Sequence, residues 1–499
     1  MKVTSLRRVF ALLFLGIAWC LASPIGSASD DNFHLSSIWC SHGIESGRCE
    51  KSSIDDQLRV PTAIKNAGLC YLIDQEQSGG CVNDELQATK GGMAPTTRLA
   101  TGGFVSGNES LFYWANGLLV GANIEKSVVL MRLLNLGLLF GLLCIAARSR
   151  PGNQVGRLHV IFLTIGIPVG LWTIFSTSSS SWTFLSALFF WYFIDALLCE
   201  SGRNARTWSL LGSLICIFLA ISSRAESIAM LAVQGASFVA LRARVNNSHK
   251  LNKVQTFALL LLAALLLTTL YISGVWRMLG SGFAYVLDDT PVIRDSSWVF
   301  VNNLQSVVDL YTYAVSAIGI LSVADFEMYK IVGTINIGVI AVLMAVYLRR
   351  ASRRARTLLL LNISVALLVP LVMLQQTNLH VGEELLPRYL MPLLILIVAF
   401  GIFQADSKPR LSRGQAIALA TGLSISHLIA LRQVLLRFTH GIDQYGIVNL
   451  DTNREWWWEL PGIPSPMWTW LLGSGAFAYL AISSFRNISA PHVVDRVGT

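Results

Sequence analysis

Long apolar runs recur along the whole chain and are separated by polar segments. A helix needs about 20 mostly apolar residues to cross the hydrocarbon core of a bilayer. Runs of about that length predict transmembrane helices at residues 9–27, 127–146, 158–175, 183–199, 207–222, 226–241, 256–276, 331–348, 357–374, 389–404, 415–433 and 467–485. The pattern therefore predicts an all-α membrane protein with about twelve transmembrane helices, forming a single domain over residues 1–499.

Basic residues mark one side of the predicted helices. Lys2, Arg7 and Arg8 precede the first apolar run, and every strongly basic short loop falls on the same side as this N-terminal segment. Cytoplasmic loops carry the excess of Lys and Arg in membrane proteins. We therefore expect a plasma-membrane protein with both termini in the cytoplasm.

The composition supports this class and excludes others. The chain is 53% hydrophobic and only 13% charged, which excludes an ordinary soluble protein. The net charge of +9 comes from residues in short loops, so it indicates membrane topology rather than nucleic-acid binding. No G-x-x-x-x-G-K-[ST] loop is present in the sequence, which argues against a built-in ATP motor.

The first apolar run has a second interpretation. Its basic start, apolar core and the small residues Ser27, Ala28 and Ser29 also fit a cleaved signal peptide. Cleavage would leave eleven helices with the same orientation. It would also detach the polar residues that follow from their membrane anchor.

The predicted first outer loop, residues 28–126, is too long to be a simple connector. It contains Cys40, Cys49, Cys70 and Cys81. Four cysteines outside the membrane predict two disulfides, with three pairings open. A zinc site is the alternative, but the loop lacks the close C-x-x-C pairs typical of such sites.

Two further outer segments are predicted at residues 277–330 and 434–466. The second contains three consecutive tryptophans, Trp456, Trp457 and Trp458. Tryptophan is favoured at the level of lipid headgroups, so an interfacial anchor is the simpler interpretation. Stacking of Trp457 against a sugar ring is the functional alternative.

Two adjacent carboxylates directly follow the first span. Asp30 and Asp31 could activate a hydroxyl as general base, or hold a divalent cation such as Mg²⁺ or Mn²⁺. The alternative is a helix N-cap with a first-turn acid. His34 could support the pair, donate to a phosphate or bind a metal, and a polar interfacial anchor is its simpler interpretation.

Arg388 is the first candidate for binding phosphate, because a guanidinium reads phosphate oxygens through parallel hydrogen bonds. It lies at the predicted outer mouth of a span, beside Tyr389 and after Glu383 and Glu384. An ion pair with these acids would fix the loop instead.

Arg224 is the second phosphate candidate and poses the same choice. It precedes Glu226 in a very short predicted outer turn. An ion pair between the two is again the alternative to ligand binding.

Three polar residues fall within predicted spans, where charge is costly. Arg132 lies near the outer end and is expected to snorkel. Asp195 lies near the cytoplasmic end, where Arg203 or Arg206 could neutralise it. For these two residues and for His427 we expect structural roles.

Several short motifs, in order along residues 9–485, carry a family resemblance. They are the acidic pair with His34, the segment Leu130–Asn135 with its Arg-x-x-Asn pattern, the segment 386–392 with Arg-Tyr-Leu-x-Pro, and the Trp-rich piece that ends in Ser465-Pro466. Together they resemble the bacterial membrane-protein family known as domain of unknown function 2142. That family resembles the GT-C glycosyltransferases, which take sugars from polyprenyl-phosphate carriers and use an acidic residue in the first outer loop.

The chain departs from the family pattern in two places. Family members usually have Asp-Glu where this chain has Asp30-Asp31, and a polar motif in the next outer turn is here the Ser/Thr run 176–181. The first change keeps the charge. The second removes any carboxamide or carboxylate from that turn.

The resemblance implies transfer of a sugar from a polyprenyl-phosphate donor to a cell-envelope glycan or lipid, on the outer face of the membrane. Membrane lipid would surround the helices, and apolar walls would hold the prenyl tail. A transporter or flippase of an envelope lipid or polysaccharide is the alternative function, and a non-catalytic assembly partner is a third. A transporter would be expected to have polar or Gly/Pro-interrupted segments near the bilayer midplane in both halves of the chain. In this chain the polar residues concentrate in the outer loops, which favours the enzyme.

Overall fold

The computed structural model describes residues 3–28, 31–54, 57–72, 74–96, 110–150, 152–242, 253–272, 295–316, 328–349, 351–383, 385, 387–403, 411–442, 448–458 and 460–489. Long helices form most of these residues. In chain order the elements are α1 (Val3–Leu21), α2 (Asp31–Trp39), β1 (Glu50–Lys51), β2 (Leu58–Pro61), α3 (Thr62–Lys65), α4 (Leu69–Leu72), α5 (Cys81–Ala88), β3 (Met93–Thr96), α6 (Ser110–Gly117), α7 (Ile124–Ser149), α8 (Gly152–Ile165), α9 (Leu171–Ile174), α10 (Ser180–Cys199), α11 (Arg203–Ser223), α12 (Ala225–Arg242), α13 (Lys253–Ile272), α14 (Ser296–Ser306), α15 (Asp309–Ser316), α16 (Lys330–Leu348), α17 (Arg353–Thr377), α18 (Pro387–Phe403), α19 (Arg413–His440) and α20 (Pro466–Ser489). One π-helical turn, Gly166–Gly170, joins α8 to α9.

Helices long enough for a membrane are confirmed. Among the described residues, seven stretches have the length and apolar character to span a bilayer: Ile124–Ser149, Gln154–Ile174, Ser180–Cys199, Arg203–Ser223, Lys330–Leu348, Arg353–Thr377 and Arg413–His440. Thr256–Thr268 and Pro387–Phe403 are shorter apolar helices. The remaining predicted spans coincide with α1, α12 and α20. The total of twelve stays a prediction.

The predicted first loop forms a disulfide-bonded subdomain. Cys40 is bonded to Cys49, and Cys70 to Cys81. The expectation of two disulfides is thus confirmed, and the open choice of pairing resolves to the two pairs that are nearest in sequence. Three short antiparallel strands in the order β1-β2-β3 stiffen this segment.

The subdomain packs on one end of the helix bundle, called here the disulfide end. Arg437, in the last turn of α19, donates from its two terminal nitrogens to the carbonyls of Gln77 and Tyr71, each at 2.8 Å. The amide of Gly79 donates to the carbonyl of Phe438 at 2.7 Å. A helix leaves its last carbonyls without partners, and the loop supplies one here.

The tryptophan triplet lies under this subdomain, which makes the expected interfacial anchor wrong for two of its members. Trp457 and Trp458 are 1% and 4% exposed. The indole of Trp458 donates to the carbonyl of Leu21 at 3.0 Å, and Trp457 packs edge-on against Phe438. Protein, rather than lipid headgroups, surrounds both rings.

Helix α1 is an integral part of the bundle. The terminal nitrogens of Arg132 donate to the carbonyls of Cys20, Ser23 and Pro24 at 2.7–2.9 Å. Cys20 lies in the last turn of α1, where carbonyls lack helical partners, and Ser23 and Pro24 follow the end of the helix. Arg132 is 1% exposed, so it does not snorkel, and its structural role is confirmed.

His427 also contacts α1. The indole of Trp19 donates to its Nε2 at 2.9 Å, and its ring stacks on Phe477 with centroids 4.2 Å apart. The structural role expected for His427 is confirmed, because both contacts join α19 to neighbouring helices.

The opposite end of the bundle contains a buried ion-pair cluster. Asp195 pairs with Arg150 at 2.7 Å and with Arg242 at 2.6 Å. The expected partners, Arg203 and Arg206, are not the ones that neutralise it. The two arginines come from the ends of α7 and α12, which lie beside α10 in the bundle, and proximity in space decides the pairing.

Candidate active site at the disulfide end

Asp31 opens α2 at the disulfide end and is 1% exposed. Its carboxylate accepts two hydrogen bonds, from the hydroxyl of Thr177 at 2.6 Å and from the backbone amide of Ala28 at 3.1 Å. Asp31 lies in the first turn of α2, as expected if its role is to stabilise the start of a helix. The carboxylate, however, is held by groups outside its own helix. Asp30 lies outside the described residues.

Positive charge lies close to this carboxylate. The guanidinium of Arg132 interacts electrostatically with Asp31 while it holds the carbonyls at the end of α1. One arginine therefore fixes the backbone that leads into the acidic residue and places a positive charge beside its side chain.

The Ser/Thr run forms a buried turn between α9 and α10. Asn135 donates to the carbonyl of Ser176 at 2.9 Å and accepts from the indole of Trp182 at 3.1 Å. Asn135 follows Arg132 by three residues, so both lie on the same face of α7. The Arg-x-x-Asn pattern thus positions the two segments that meet at the site.

His34 supports the turn from the other side. Its Nδ1 lies 3.0 Å from the hydroxyl of Tyr113, and its Nε2 lies 3.3 Å from the hydroxyl of Ser178. The side chain is 2% exposed. His34 is therefore a buried link between α2, α6 and the Ser/Thr turn, and the alternative of an anchor at the lipid interface is wrong.

Two arginines flank one tyrosine at the mouth of α18. The guanidinium carbons of Arg224 and Arg388 lie 4.4 Å and 4.8 Å from the ring centroid of Tyr389. Arg388 also donates to the Tyr389 hydroxyl at 2.8 Å. Arg224 forms an ion pair with Glu226. Cation–π contacts of this kind hold both guanidinium groups in place.

A small cavity joins the arginine side of the site to the Ser/Thr turn. Its lining residues are Ala28, Trp172, Thr173, Ser176, Ser178, Ser180 and Arg388. Its volume is about 10 Å³, which is room for about one water molecule. Ala28 contacts Asp31, and Ser178 contacts His34. The sequence-predicted residues Asp31, His34 and Arg388 therefore surround one turn.

Two lining residues have buried polar atoms without a hydrogen-bond partner among the described residues. They are the indole nitrogen of Trp172 and the hydroxyl of Ser180. Buried polar atoms are nearly always paired in folded proteins. Together with the Arg388 guanidinium, these groups equip the cavity to bind an oxygen-rich, negatively charged group.

The structure describes two of the three remaining predicted site residues, Glu383 and Trp457. Glu383 is exposed, and its carboxylate accepts from the amide of His380 at 2.8 Å, within its own turn. Glu384 lies outside the described residues. Trp457 contacts Phe438, which stacks on Trp172 with centroids 5.9 Å apart. Trp457 is too deeply buried to stack on a sugar, so that alternative is wrong, and the residue supports the cavity wall.

No group of three or more His, Cys, Asp or Glu side chains that could hold a metal ion occurs within the described part of the chain.

Sequence reasoning did not assign Thr177, Ser178, Ser180 or Trp172 to the site. A signal was present, because six consecutive Ser and Thr residues between two apolar runs are an unusual concentration of hydroxyls. As a departure from the family pattern, the same run indicates only the loss of a carboxamide or carboxylate. The structure shows that hydroxyls now contact both Asp31 and His34.

Comparison with protein families gives one result. The family of predicted membrane proteins DUF2142 matches residues 13–397, a range that contains Asp31, the Ser/Thr turn and Arg388. No curated protein and no solved structure matches the chain.

Proposed function

We propose that this chain, which belongs to the DUF2142 family of predicted membrane proteins, is a membrane glycosyltransferase. It moves a sugar from a polyprenyl-phosphate donor to a cell-envelope glycan or lipid on the outer face of the membrane. One observation carries the proposal: Asp31 and Arg388 lie around the same hydroxyl-rich turn at the disulfide end.

The disulfides support the outer face. Cys40–Cys49 and Cys70–Cys81 belong to the subdomain that packs beside the site. Disulfides form and persist in oxidising compartments such as the periplasm or the cell exterior. The basic ion-pair residues Arg150 and Arg242 gather at the opposite end, as expected for a cytoplasmic side.

The donor phosphate binds beside Arg388. A guanidinium binds phosphate oxygens through charge-assisted hydrogen bonds, and Trp172 and Ser180 add an N–H and an O–H donor at the same cavity. Arg224, which also contacts the ring of Tyr389, adds positive charge. The prenyl tail lies along the apolar helices.

Asp31 is the general base. The acceptor hydroxyl oxygen attacks the anomeric carbon, the bond from that carbon to the phosphate oxygen breaks, and the phosphate leaves with the electron pair. The hydroxyl proton passes to the Asp31 carboxylate. Thr177 orients this carboxylate through its hydrogen bond, and Arg388 stabilises the charge that develops on the leaving phosphate.

The cavity must widen for the donor to enter, because its volume of about 10 Å³ holds little more than a water molecule. Arg388 forms the side of the cavity where α18 begins. Binding therefore requires the Arg388 side chain to move away from the Ser/Thr turn.

Purified protein in lipid nanodiscs, given radiolabelled polyprenyl-phosphate sugars and envelope glycan acceptors, tests the proposal. Asp31→Asn keeps the size of the side chain and should lower kcat by about 100-fold or more, the usual contribution of a general base. Arg388→Gln should raise KM for the donor, with Arg388→Lys in between because the charge remains.

Asp84→Asn is the matched control, since this carboxylate is exposed on α5 in the same subdomain. It should transfer sugar at the wild-type rate. Wild-type transfer by folded Asp31→Asn protein would exclude the proposed role of Asp31.

A further inference from the structure

A second and much larger cavity lies within the disulfide-bonded subdomain. Its volume is about 550 Å³, within the range of ligand pockets. Its walls come from the end of α2, from α5, from the turn before β3 and from the segment that leads into α7. Neither the family description nor the proposed chemistry at Asp31 uses this cavity.

We propose that this cavity binds a neutral oligosaccharide. If the proposed function holds, that oligosaccharide is the part of the acceptor glycan that does not react, and this second statement rests on the glycosyltransferase proposal.

The charge of the lining favours an uncharged ligand with many hydroxyls. The side chains of Asn83, Gln87 and Asn123 supply amide donors and acceptors, and among the described lining residues the cation Lys90 is balanced by the anion Glu125. A phosphate or nucleotide site would need an excess of positive charge. Amides bind sugar hydroxyls because each amide both donates and accepts.

One amide is already oriented for a ligand. Asn83 donates through Nδ2 to the carbonyl of Trp456 at 3.1 Å, which fixes the side chain. Its Oδ1 is buried and has no hydrogen-bond partner among the described residues. The amide group of Asn83 is therefore held in one orientation at the cavity wall.

A second amide is oriented by the helix that it caps. The side-chain oxygen of Asn123 accepts from the amide of Lys126 at 2.8 Å, at the start of α7. This bond leaves the Asn123 amide nitrogen as a donor at the cavity wall. The cavity is thus lined by two amides, Asn83 on α5 and Asn123 before α7, whose orientation the protein fixes.

Its position relative to Asp31 suits an extended acceptor. Trp39, which lines the cavity, is the last residue of the helix that Asp31 begins. Eight helical steps of 1.5 Å separate the two residues by about 12 Å. A glycan bound here reaches the reaction centre along α2, and binding of its remote part increases kcat/KM.

Saturation-transfer difference NMR on the full-length protein in nanodiscs tests binding without any need for activity. The probes are maltotriose, cellotriose and mannotriose. Wild-type protein should transfer magnetisation to at least one of them. Ala122→Trp places a large ring at an exposed lining position and should abolish the signal, and Gln87→Ala should weaken binding by about fivefold, the value of one hydrogen bond.

Asp84→Ala is the matched control, because this exposed residue lies on the same helix as Gln87 but outside the cavity. It should bind like the wild type, as should Asp31→Asn. Absence of any trisaccharide signal from the wild type, or an undiminished signal from Ala122→Trp, would overturn the inference. Trisaccharide binding without sugar transfer would support the glycan site and contradict the proposed function. Sugar transfer without trisaccharide binding would support the proposed function and contradict the glycan site.

Discussion

The hydroxyl of Thr177 donates a 2.6 Å hydrogen bond to the carboxylate of Asp31, across 146 residues of sequence. This bond joins the start of α2 to the turn between α9 and α10. Both groups are buried, so water does not compete for either. The position of the carboxylate therefore depends on a turn that the Arg-x-x-Asn pattern of α7 holds in place.

Replacing Thr177 tests this link. Thr177→Val keeps the shape and removes the donor, so the free energy of unfolding should fall by about 1.5–3 kcal/mol, the value of a hydrogen bond to a charged group. Denaturant unfolding of the purified protein, followed by tryptophan fluorescence, measures the change. Thr177→Ser retains the hydroxyl and should recover most of the loss. Equal stability of the valine and serine variants would contradict the role of the bond.

Asn135 should matter more than a single hydrogen bond. Asn135→Ala leaves the carbonyl of Ser176 without its donor and the indole of Trp182 without its acceptor. Two buried groups left unpaired cost about 2–5 kcal/mol, which thermal unfolding in detergent can detect. Gly137→Ala is the control on the same helix, because a Cβ there meets open space. A control that destabilises as much as Asn135→Ala would show that α7 tolerates no change, and would remove the evidence for these bonds.

The ion-pair cluster at the opposite end predicts a large effect of neutralising one carboxylate. Asp195→Asn leaves Arg150 and Arg242 without their shared anion, and breaking a buried pair costs about 3–5 kcal/mol. The yield of folded protein in size-exclusion chromatography and its melting temperature should both drop. Arg148→Ala, at an exposed position nearby, should behave like the wild type. A stable Asp195→Asn variant would show that the cluster is not buried as described.

The two disulfides predict a count of reactive thiols. Unreduced, denatured protein should react with a maleimide at Cys20, Cys144, Cys199 and Cys216, and reduced protein at all eight cysteines. Intact-protein mass spectrometry reads both numbers.

Cys40→Ser is the informative variant of that experiment, since it frees Cys49 and should add one thiol to the unreduced count. It should also lower the free energy of unfolding by about 3 kcal/mol, as expected for a loop of this length. Complete labelling of unreduced wild-type protein would place the subdomain in a reducing compartment.

Some features could be predicted from the sequence because their cause is local. Apolar length identifies a helix that can span a membrane, as for α7 and α16. The disulfides pair cysteines only nine and eleven residues apart. Asp31 and Arg388 could be singled out because a charge beside an apolar run is conspicuous whatever surrounds it.

Other features depend on contacts between distant segments. The arginines that pair with Asp195 lie 45 and 47 residues away in the sequence. The sequence alone predicts pairing with Arg203 or Arg206, because they are nearer along the chain. Trp458 lies inside the protein, with the carbonyl of Leu21 as its polar partner, and the sequence cannot distinguish this position from a lipid interface because both favour an amphipathic ring. The hydroxyls of the Ser/Thr turn acquire a role only when Asp31 and His34 reach them.

The contacts of α1 have a consequence for synthesis of the chain. The indole of Trp19 in α1 donates to His427, which the ribosome adds 408 residues later. The carbonyl of Leu21 accepts from Trp458, which is added after His427. At about 5–20 residues per second, the ribosome needs roughly 20–80 s to cover the first of these gaps. The contact between Arg132 and Cys20 spans only 112 residues, so α1 can pack against α7 long before α19 exists. The order of synthesis therefore separates the packing of α1 into an early stage against α7 and a late stage against α19 and the tryptophan triplet.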